Sequence, residues 1–99
     1  MRISPSEAAA IRRVTVEVAG QQARVKLFGS RTRDDLRGGD IDLLIELAEP
    51  TPDKLALSLR AGARLQVVIG QRKIDVLVTD PETEETPLIR AARREGIAL

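Results

Sequence analysis

The chain has 99 residues, of which 42% are apolar and 31% charged, and its formal net charge is +1. This length predicts a single domain over residues 1–99, and the small net charge excludes a field strong enough for nonspecific nucleic-acid binding. Cys and His are both missing from the sequence, which excludes disulfides, ordinary zinc sites and thiol or imidazole catalysis. Any bound metal must therefore be held by oxygen, as magnesium, manganese and calcium are.

The apolar stretches are far shorter than the roughly 20 residues needed to cross a bilayer, and the N-terminus lacks a signal-peptide pattern. We therefore expect a cytoplasmic protein without membrane attachment. Phe28 is the only aromatic residue in the sequence. Because single-stranded nucleic acids are usually gripped by stacking on several aromatic rings, a nucleic-acid partner is not expected.

The first predicted element is a helix. Residues 4–7, Ser-Pro-Ser-Glu, have the form of a capping box with proline at the first helical position, and Gly20 predicts where the helix ends. Residues 14–18 alternate between apolar and polar side chains, which is also typical of a strand. Both periodicities are therefore present in the last turns of this helix.

Two strands with a polar loop between them are predicted next. Residues 23–28 alternate between apolar and polar side chains and lead into a glycine, which predicts the first strand. Residues 29–39 form a polar, glycine-containing loop, and residues 41–47 predict the second strand. Pro50 and the residues around it end that strand.

The second half of the chain predicts a helix, a strand and a final helix. Residues 53–69 fit both a period of two and a helical period, and their length favours a helix that ends at Gly70. Residues 73–79 predict the third strand, and Thr86 caps a last helix that ends before Gly96. This order of elements predicts an α/β (α+β) fold, in which helices pack on a small mixed sheet of three to four strands.

Charged residues near the C-terminus predict exposed surface. Arg90, Arg93 and Arg94 share one face of the last helix, which indicates a solvated face or, alternatively, a patch that docks a partner. The acidic residues just before this helix are interpreted as a solvated linker; they are Glu82, Glu84 and Glu85.

Three aspartates are candidate metal ligands. Asp40 and Asp42 lie two apart at the start of a strand, so their side chains project together. If the strand of Asp75 is a neighbour, about 4.8 Å away, three carboxylates converge. Their mutual repulsion is relieved by divalent cations, and two such ions about 3.5–4 Å apart are a known solution for phosphoryl displacement. Alternatively, the first pair merely opens a strand and Asp75 faces solvent on an edge strand, while Asp34 and Asp35 are interpreted as shaping the loop.

The turn after the first strand is a candidate phosphate site. Gly29 allows the backbone to approach a ligand closely, successive N–H groups in such a turn bind anions, and Ser30 adds a hydroxyl donor. Arg31 and Arg33 are suited to bidentate phosphate contacts, although both could be solvated loop charges. Phosphate donors beside metal-binding carboxylates indicate a site for a nucleoside triphosphate and magnesium.

The segment 28–42 carries a Phe-Gly-Ser turn, a spacer of nine residues and an Asp-Ile-Asp strand start. This pattern resembles the nucleotidyltransferase superfamily that includes DNA polymerase beta. The Leu-Phe-Gly-Ser-Arg opening and the later Lys-Ile-Asp-Val-Leu-Val strand are most similar to the minimal nucleotidyltransferases, or MNT proteins. The resemblance covers residues 24–96.

The resemblance implies a role for each matching residue. Gly29 and Ser30 would contact the triphosphate, and Asp40 and Asp42 would hold the metal. Asp75 would assist the attacking hydroxyl and share one metal. Two magnesium ions are implied, and manganese could substitute for them.

The implied reaction transfers a nucleoside monophosphate from a nucleoside triphosphate to a hydroxyl and releases pyrophosphate. Many minimal members resemble antitoxins encoded beside a HEPN-domain ribonuclease toxin, which implies ATP as donor and a tyrosine of the toxin as acceptor. One alternative is a non-catalytic antitoxin that neutralises its partner by binding alone. Another is nucleotidylation of a small molecule such as an aminoglycoside. The sequence leaves the oligomeric state open.

Overall fold

The computed structural model describes residues 3–29, 41–70 and 72–99. The predicted helices and strands occur in the predicted order, with one additional short strand near the C-terminus, so the α+β class with a small mixed sheet is confirmed. None of the described helices is long and apolar enough to cross a membrane. The elements are α1 (Pro5–Ala19), β1 (Arg24–Phe28), β2 (Ile41–Glu46), α2 (Lys54–Ile69), β3 (Ile74–Thr79), α3 (Pro87–Glu95) and β4 (Ile97–Ala98).

Local hydrogen bonds fix the limits of α1. The Ser4 hydroxyl accepts from the Glu7 N–H at 3.1 Å, and the Glu7 carboxylate accepts from the Ser4 N–H at 2.8 Å, which confirms the capping box. In the segment with strand-like alternation, the Thr15 hydroxyl donates to the Ile11 carbonyl at 2.8 Å. This hydrogen bond satisfies a buried polar group inside the helix. The segment is therefore helical, as its helical period indicates, and not a strand.

The sheet has the strand order β3-β2-β1-β4. β1 pairs antiparallel with both β2 and β4, whereas β2 and β3 are parallel. The parallel pair follows from the connection through α2, because parallel neighbours need a crossover rather than a tight turn. β3 is thus an edge strand, and the unpredicted strand β4 forms the other edge.

The hydrophobic core lies between one face of the sheet and the helices α1 and α2. Alternate residues of each strand point to this face, as expected for a period of two. The largest fully buried apolar side chains of this core are Ile11, Leu27, Ile41, Leu43, Ile45 and Leu65.

Helix α3 lies on the opposite face and is held there by polar contacts with two strands. The Lys26 ammonium donates to the Arg93 carbonyl at 3.1 Å, and the Arg93 guanidinium donates to the Glu46 carboxylate at 2.9 Å. The same guanidinium contacts Glu85 at 3.1 Å. The interpretation of these positions as solvated is confirmed for Glu85, which is exposed, but it is wrong for Arg93, which is half-buried and pairs with Glu46 on the sheet.

A buried carboxylate joins the exit of β3 to the loop before α2. Asp80 is 4% exposed, and its carboxylate accepts from the Thr51 N–H at 3.0 Å and from the Glu82 N–H at 2.9 Å. The Thr51 N–H, helped by Glu82, Thr83 and Lys54, lowers the pKa of Asp80 from 3.8 to about 2 although burial opposes the shift. A charged Asp80 therefore stabilises the connection between these two segments.

Candidate active site

Asp42 and Asp75 lie side by side on the face of the sheet that carries α3. They are register partners on the adjacent parallel strands β2 and β3, so both side chains project to the same face with the strands about 4.8 Å apart. Asp42 is half-buried, and Asp75 is exposed on its edge strand. Two oxygen-donor groups therefore face the same volume above the sheet.

The backbone of Gly29 lies directly against the Asp42 carboxylate. A Cβ atom at position 29 would be 2.5 Å from the Asp42 Oδ2 atom, and the φ angle of +75° is one that residues with a side chain rarely adopt. Gly29 is therefore the residue type that both the turn and the close approach require. The turn after β1 and the start of β2 form one continuous surface.

Phe28 belongs to the same row of side chains. It is the register partner of Asp42 on β1, and antiparallel partners project to the same face. The row across the sheet therefore runs from a half-buried aromatic ring to two carboxylates. Phe28 is not among the predicted site residues. Its position directly before Gly29, in a strand with alternating side chains, is the signal that indicates a position beside the site.

The polar contacts of α3 with the sheet lie two and four residues along the strands from this row. These contacts are made at Lys26 and Glu46, toward the end of β2, and Leu44 is fully buried on this face. Asp42 is at the start of β2, on the other side of Leu44. Within residues 3–29, 41–70 and 72–99, the carboxylate row therefore lies beside the ion-paired half of the same face.

The other predicted site residues lie outside the described residues. Among residues 3–29, 41–70 and 72–99 no three acidic side chains form a group that could hold a metal, so this part of the chain contributes two carboxylates. Magnesium is commonly bound through one or two carboxylates together with substrate phosphates. The donor set of Asp42 and Asp75 fits that chemistry. The predicted positions outside the described residues are Ser30, Arg31, Arg33, Asp34, Asp35 and Asp40.

A family model described as nucleotidyltransferase domain matches residues 11–99. The chain belongs to the nucleotidyltransferase domain family. The match includes Gly29, Asp42 and Asp75, and it extends over all strands of the sheet described above. No curated protein matches the sequence significantly.

Membership of this family gives the general chemistry of the protein. Nucleotidyltransferases transfer a nucleotidyl group, so a nucleoside triphosphate is the general substrate class and transferase is the general activity class. Divalent metals are typical of the family. Within the described residues, Asp42 lies between its strand partner Asp75 and the backbone of Gly29.

Proposed function

We propose that this nucleotidyltransferase transfers AMP from ATP to a hydroxyl group of a partner protein and releases pyrophosphate. The observation that carries the proposal is the pairing of Asp42 with Asp75 on one face, with the Gly29 turn against the first of these carboxylates. Two carboxylates suited to a divalent metal and the glycine that we propose to contact phosphate therefore lie a short distance apart.

The proposal gives the phosphate loop the task of holding ATP. Gly29 and Ser30 bind the triphosphate through backbone N–H groups and a hydroxyl, and Arg31 and Arg33 contact phosphate oxygens. The positive φ of Gly29 and its close approach to the Asp42 carboxylate support this role, because glycine allows the backbone to come close to a ligand.

The carboxylates hold magnesium in this proposal. Asp40, Asp42 and Asp75 are the ligands of two ions, for which manganese can substitute. Bound magnesium supplies neutralisation of the charge on the α-phosphate and on the leaving pyrophosphate. The residues themselves contribute mainly by positioning, as is usual for phosphoryl transfer.

The transfer step forms one bond and breaks another. The acceptor oxygen attacks the α-phosphorus, and the bond from that phosphorus to the oxygen bridging the α- and β-phosphates breaks. Pyrophosphate leaves with that oxygen. Asp75 takes the hydroxyl proton, and its exposure on the edge strand supports access by an acceptor.

The acceptor comes from another molecule. The sequence contains no Tyr, so none of its own residues can be a tyrosine acceptor. We propose a HEPN-domain toxin as partner, in the cytoplasm. Exposed Leu55, Leu59 and Val67 favour a second candidate function, in which the chain neutralises this partner by binding alone.

Transfer of label from ATP separates the two candidates. The protein, magnesium, ATP labelled on its α-phosphate and the neighbour-encoded HEPN-type partner are incubated together, and label on the partner is measured with pyrophosphate release. We expect labelling that Asp42→Asn and Asp75→Asn reduce at least about a hundredfold. Glu49→Gln, which removes an exposed carboxylate outside the site, is the matched control.

The contrary result is equally clear. If Asp42→Asn neutralises the partner as well as the unmodified protein does, and neither labels it, the chain acts by binding alone. Manganese binding followed by electron paramagnetic resonance then tells whether Asp42 and Asp75 hold a metal independently of any transfer.

A further inference from the structure

The outer edge of β3 presents backbone groups that could pair with another strand. The carbonyls of Lys73 and Thr79 each accept from a β2 N–H at 2.8 Å. Because the direction of backbone groups alternates along a strand, the N–H and carbonyl groups of Ile74, Val76 and Val78 point away from β2. Within the described ranges, no strand pairs with this edge.

The edge also lacks two common protections against pairing. Exposed edges are usually blunted by charged side chains, especially lysine, by proline, by a very short strand, or by a covering element; the one charged side chain of β3 is Asp75. β3 runs for six residues, Ile-Asp-Val-Leu-Val-Thr, with neither lysine nor proline among them. It is therefore a good template for an added strand.

An exposed apolar stripe runs along α2 beside this edge. The stripe consists of apolar residues that recur every four positions: Leu55, Leu59, Ala63 and Val67. Leu55 is 68% exposed, Leu59 is 65% exposed and Val67 is 75% exposed. The buried residues of α2 lie on its other side. Apolar patches of this kind mark interaction surfaces more often than scattered apolar residues do.

A groove of about 350 Å³ separates the α2 stripe from β3. Small residues create the space: a Cβ atom on Gly62 would meet no other atom within 4 Å. The groove reaches Asp75, so it joins the apolar stripe to the carboxylate row. Its lining includes Leu59, Gly62, Ala63, Gln66, Ile74 and Val76.

We propose that an extended segment of the partner protein pairs with the outer edge of β3 and presents the acceptor hydroxyl beside Asp75. Paired residues on neighbouring strands project to the same face, with Cβ atoms about 4.5–5.5 Å apart. The incoming residue level with Asp75 therefore lies next to its carboxylate, as Asp42 does on the other side. The residues before and after it face the groove under α2.

This geometry specifies the kind of segment that fits. It alternates between aliphatic residues, which enter the groove, and a serine, threonine or tyrosine on the other face. The identity of the acceptor rests on the proposed function, whereas docking on the edge of β3 does not. The recognition is by backbone pairing and alternate side chains.

A second copy of the chain is a poorer occupant. α2 packs against β3, so a symmetric pairing of two β3 edges would bring two α2 helices together above strands about 4.8 Å apart. Packed helices need interaxial distances of about 8–10 Å. A single extended segment brings no helix with it.

Hydrogen exchange tests the docking directly. The ¹⁵N-labelled full chain is titrated with a pool of synthetic peptides in which valine or isoleucine alternates with serine, threonine or tyrosine. We expect exchange of the Ile74 and Val76 amides, which belong to partly exposed residues, to slow at least about tenfold at saturation. The Asp75 and Leu77 amides point toward β2 and serve as internal reference, and a pool with proline at the aliphatic positions is the control.

Two variants separate docking from folding. Val76→Pro removes an outward N–H without touching the ladder to β2, a position where edge strands tolerate proline. Ala63→Glu places a charge in the groove, and Arg60→Glu places the same charge on an exposed position of α2 outside it. We expect Val76→Pro and Ala63→Glu to abolish the protection by peptide, and Arg60→Glu to retain it. If Val76→Pro does not fold, the comparison of Ala63→Glu with Arg60→Glu still tests docking.

The outcomes distinguish the docking proposal from the proposed function. Protection of the β3 edge without nucleotide transfer to any peptide supports docking and contradicts the transfer reaction. Transfer without protection, or transfer that Ala63→Glu leaves unchanged, overturns docking and leaves the reaction standing. If protection of the β3 edge rises with protein concentration in the absence of peptide, the docking proposal is also overturned, because a second copy of the chain then occupies the edge.

Discussion

Replacing Gly29 by alanine tests the close approach between the turn after β1 and the carboxylate of Asp42. The new Cβ atom would start 2.5 Å from the Asp42 Oδ2 atom, whereas ordinary contact begins at 3.4 Å. The carboxylate therefore has to retreat by about 0.9 Å, the difference between these two distances. In the proposed site this oxygen is a metal ligand, so the displacement falls on the chemistry itself.

Two effects of Gly29→Ala can be separated by size. The positive φ costs a residue with a side chain roughly 1–2 kcal/mol, which lowers the melting temperature of a chain this small by about 4–16 °C. The displaced carboxylate should reduce nucleotidyl transfer about a hundredfold, since a misplacement of about 1 Å has that order of effect. Manganese affinity should fall as well.

Gly20→Ala is the matched control for backbone strain. Gly20 has a φ of +97°, and a Cβ atom there meets nothing within 4 Å. We expect a similar loss of melting temperature with unchanged manganese affinity and transfer rate. If Gly29→Ala binds manganese and transfers label as well as Gly20→Ala does, the contact with Asp42 has no part in the site and the reasoning is refuted.

Three further predictions concern stability. Asp80→Asn should lower the melting temperature at neutral pH. The difference in melting temperature from the unmodified protein should shrink as the pH falls from 3.8 to about 2, because a lowered folded-state pKa gives stability that acid removes. A difference that stays constant over this range would contradict the prediction. Arg93→Gln should lower the free energy of unfolding by about 1 kcal/mol and the melting temperature by roughly 4–8 °C relative to Arg94→Gln. It should also raise the pKa of Glu85, because Arg93 makes the largest contribution to lowering that pKa. Carboxyl NMR measures this change. Ser4→Ala should cost about 1 kcal/mol in urea unfolding through loss of the helix cap.

Local chemistry explains which elements could be predicted from the sequence. Ser4, Asp53 and Thr86 each accept from a backbone N–H in the first turn of their helix, so helix starts depend on neighbouring residues. The alternation of residues 41–46 likewise separates the core face from the site face, and the register of β2 with β3 agrees with it. Patterns within a few residues were sufficient here.

Pairing across the chain could not be predicted in the same way. β4 has two residues, Ile97 and Ala98, too few for a periodic pattern, and it forms because β1 offers a free edge. Arg93 reaches Glu46, which is 47 positions away in sequence. A helical face pattern indicates which side chains are neighbours on the helix but says nothing about the strand beneath them.

The crossover through α2 explains why Asp42 and Asp75 share a face of the sheet with the shorter helix α3. Parallel pairing of β2 with β3 requires a crossover, and α2 makes it on the core face beside α1. The opposite face is then left to α3, which Arg93 and Lys26 hold near Glu46. The row with Asp42 lies on this second face, and its outermost member, Asp75, is exposed on β3, an edge strand of the described sheet.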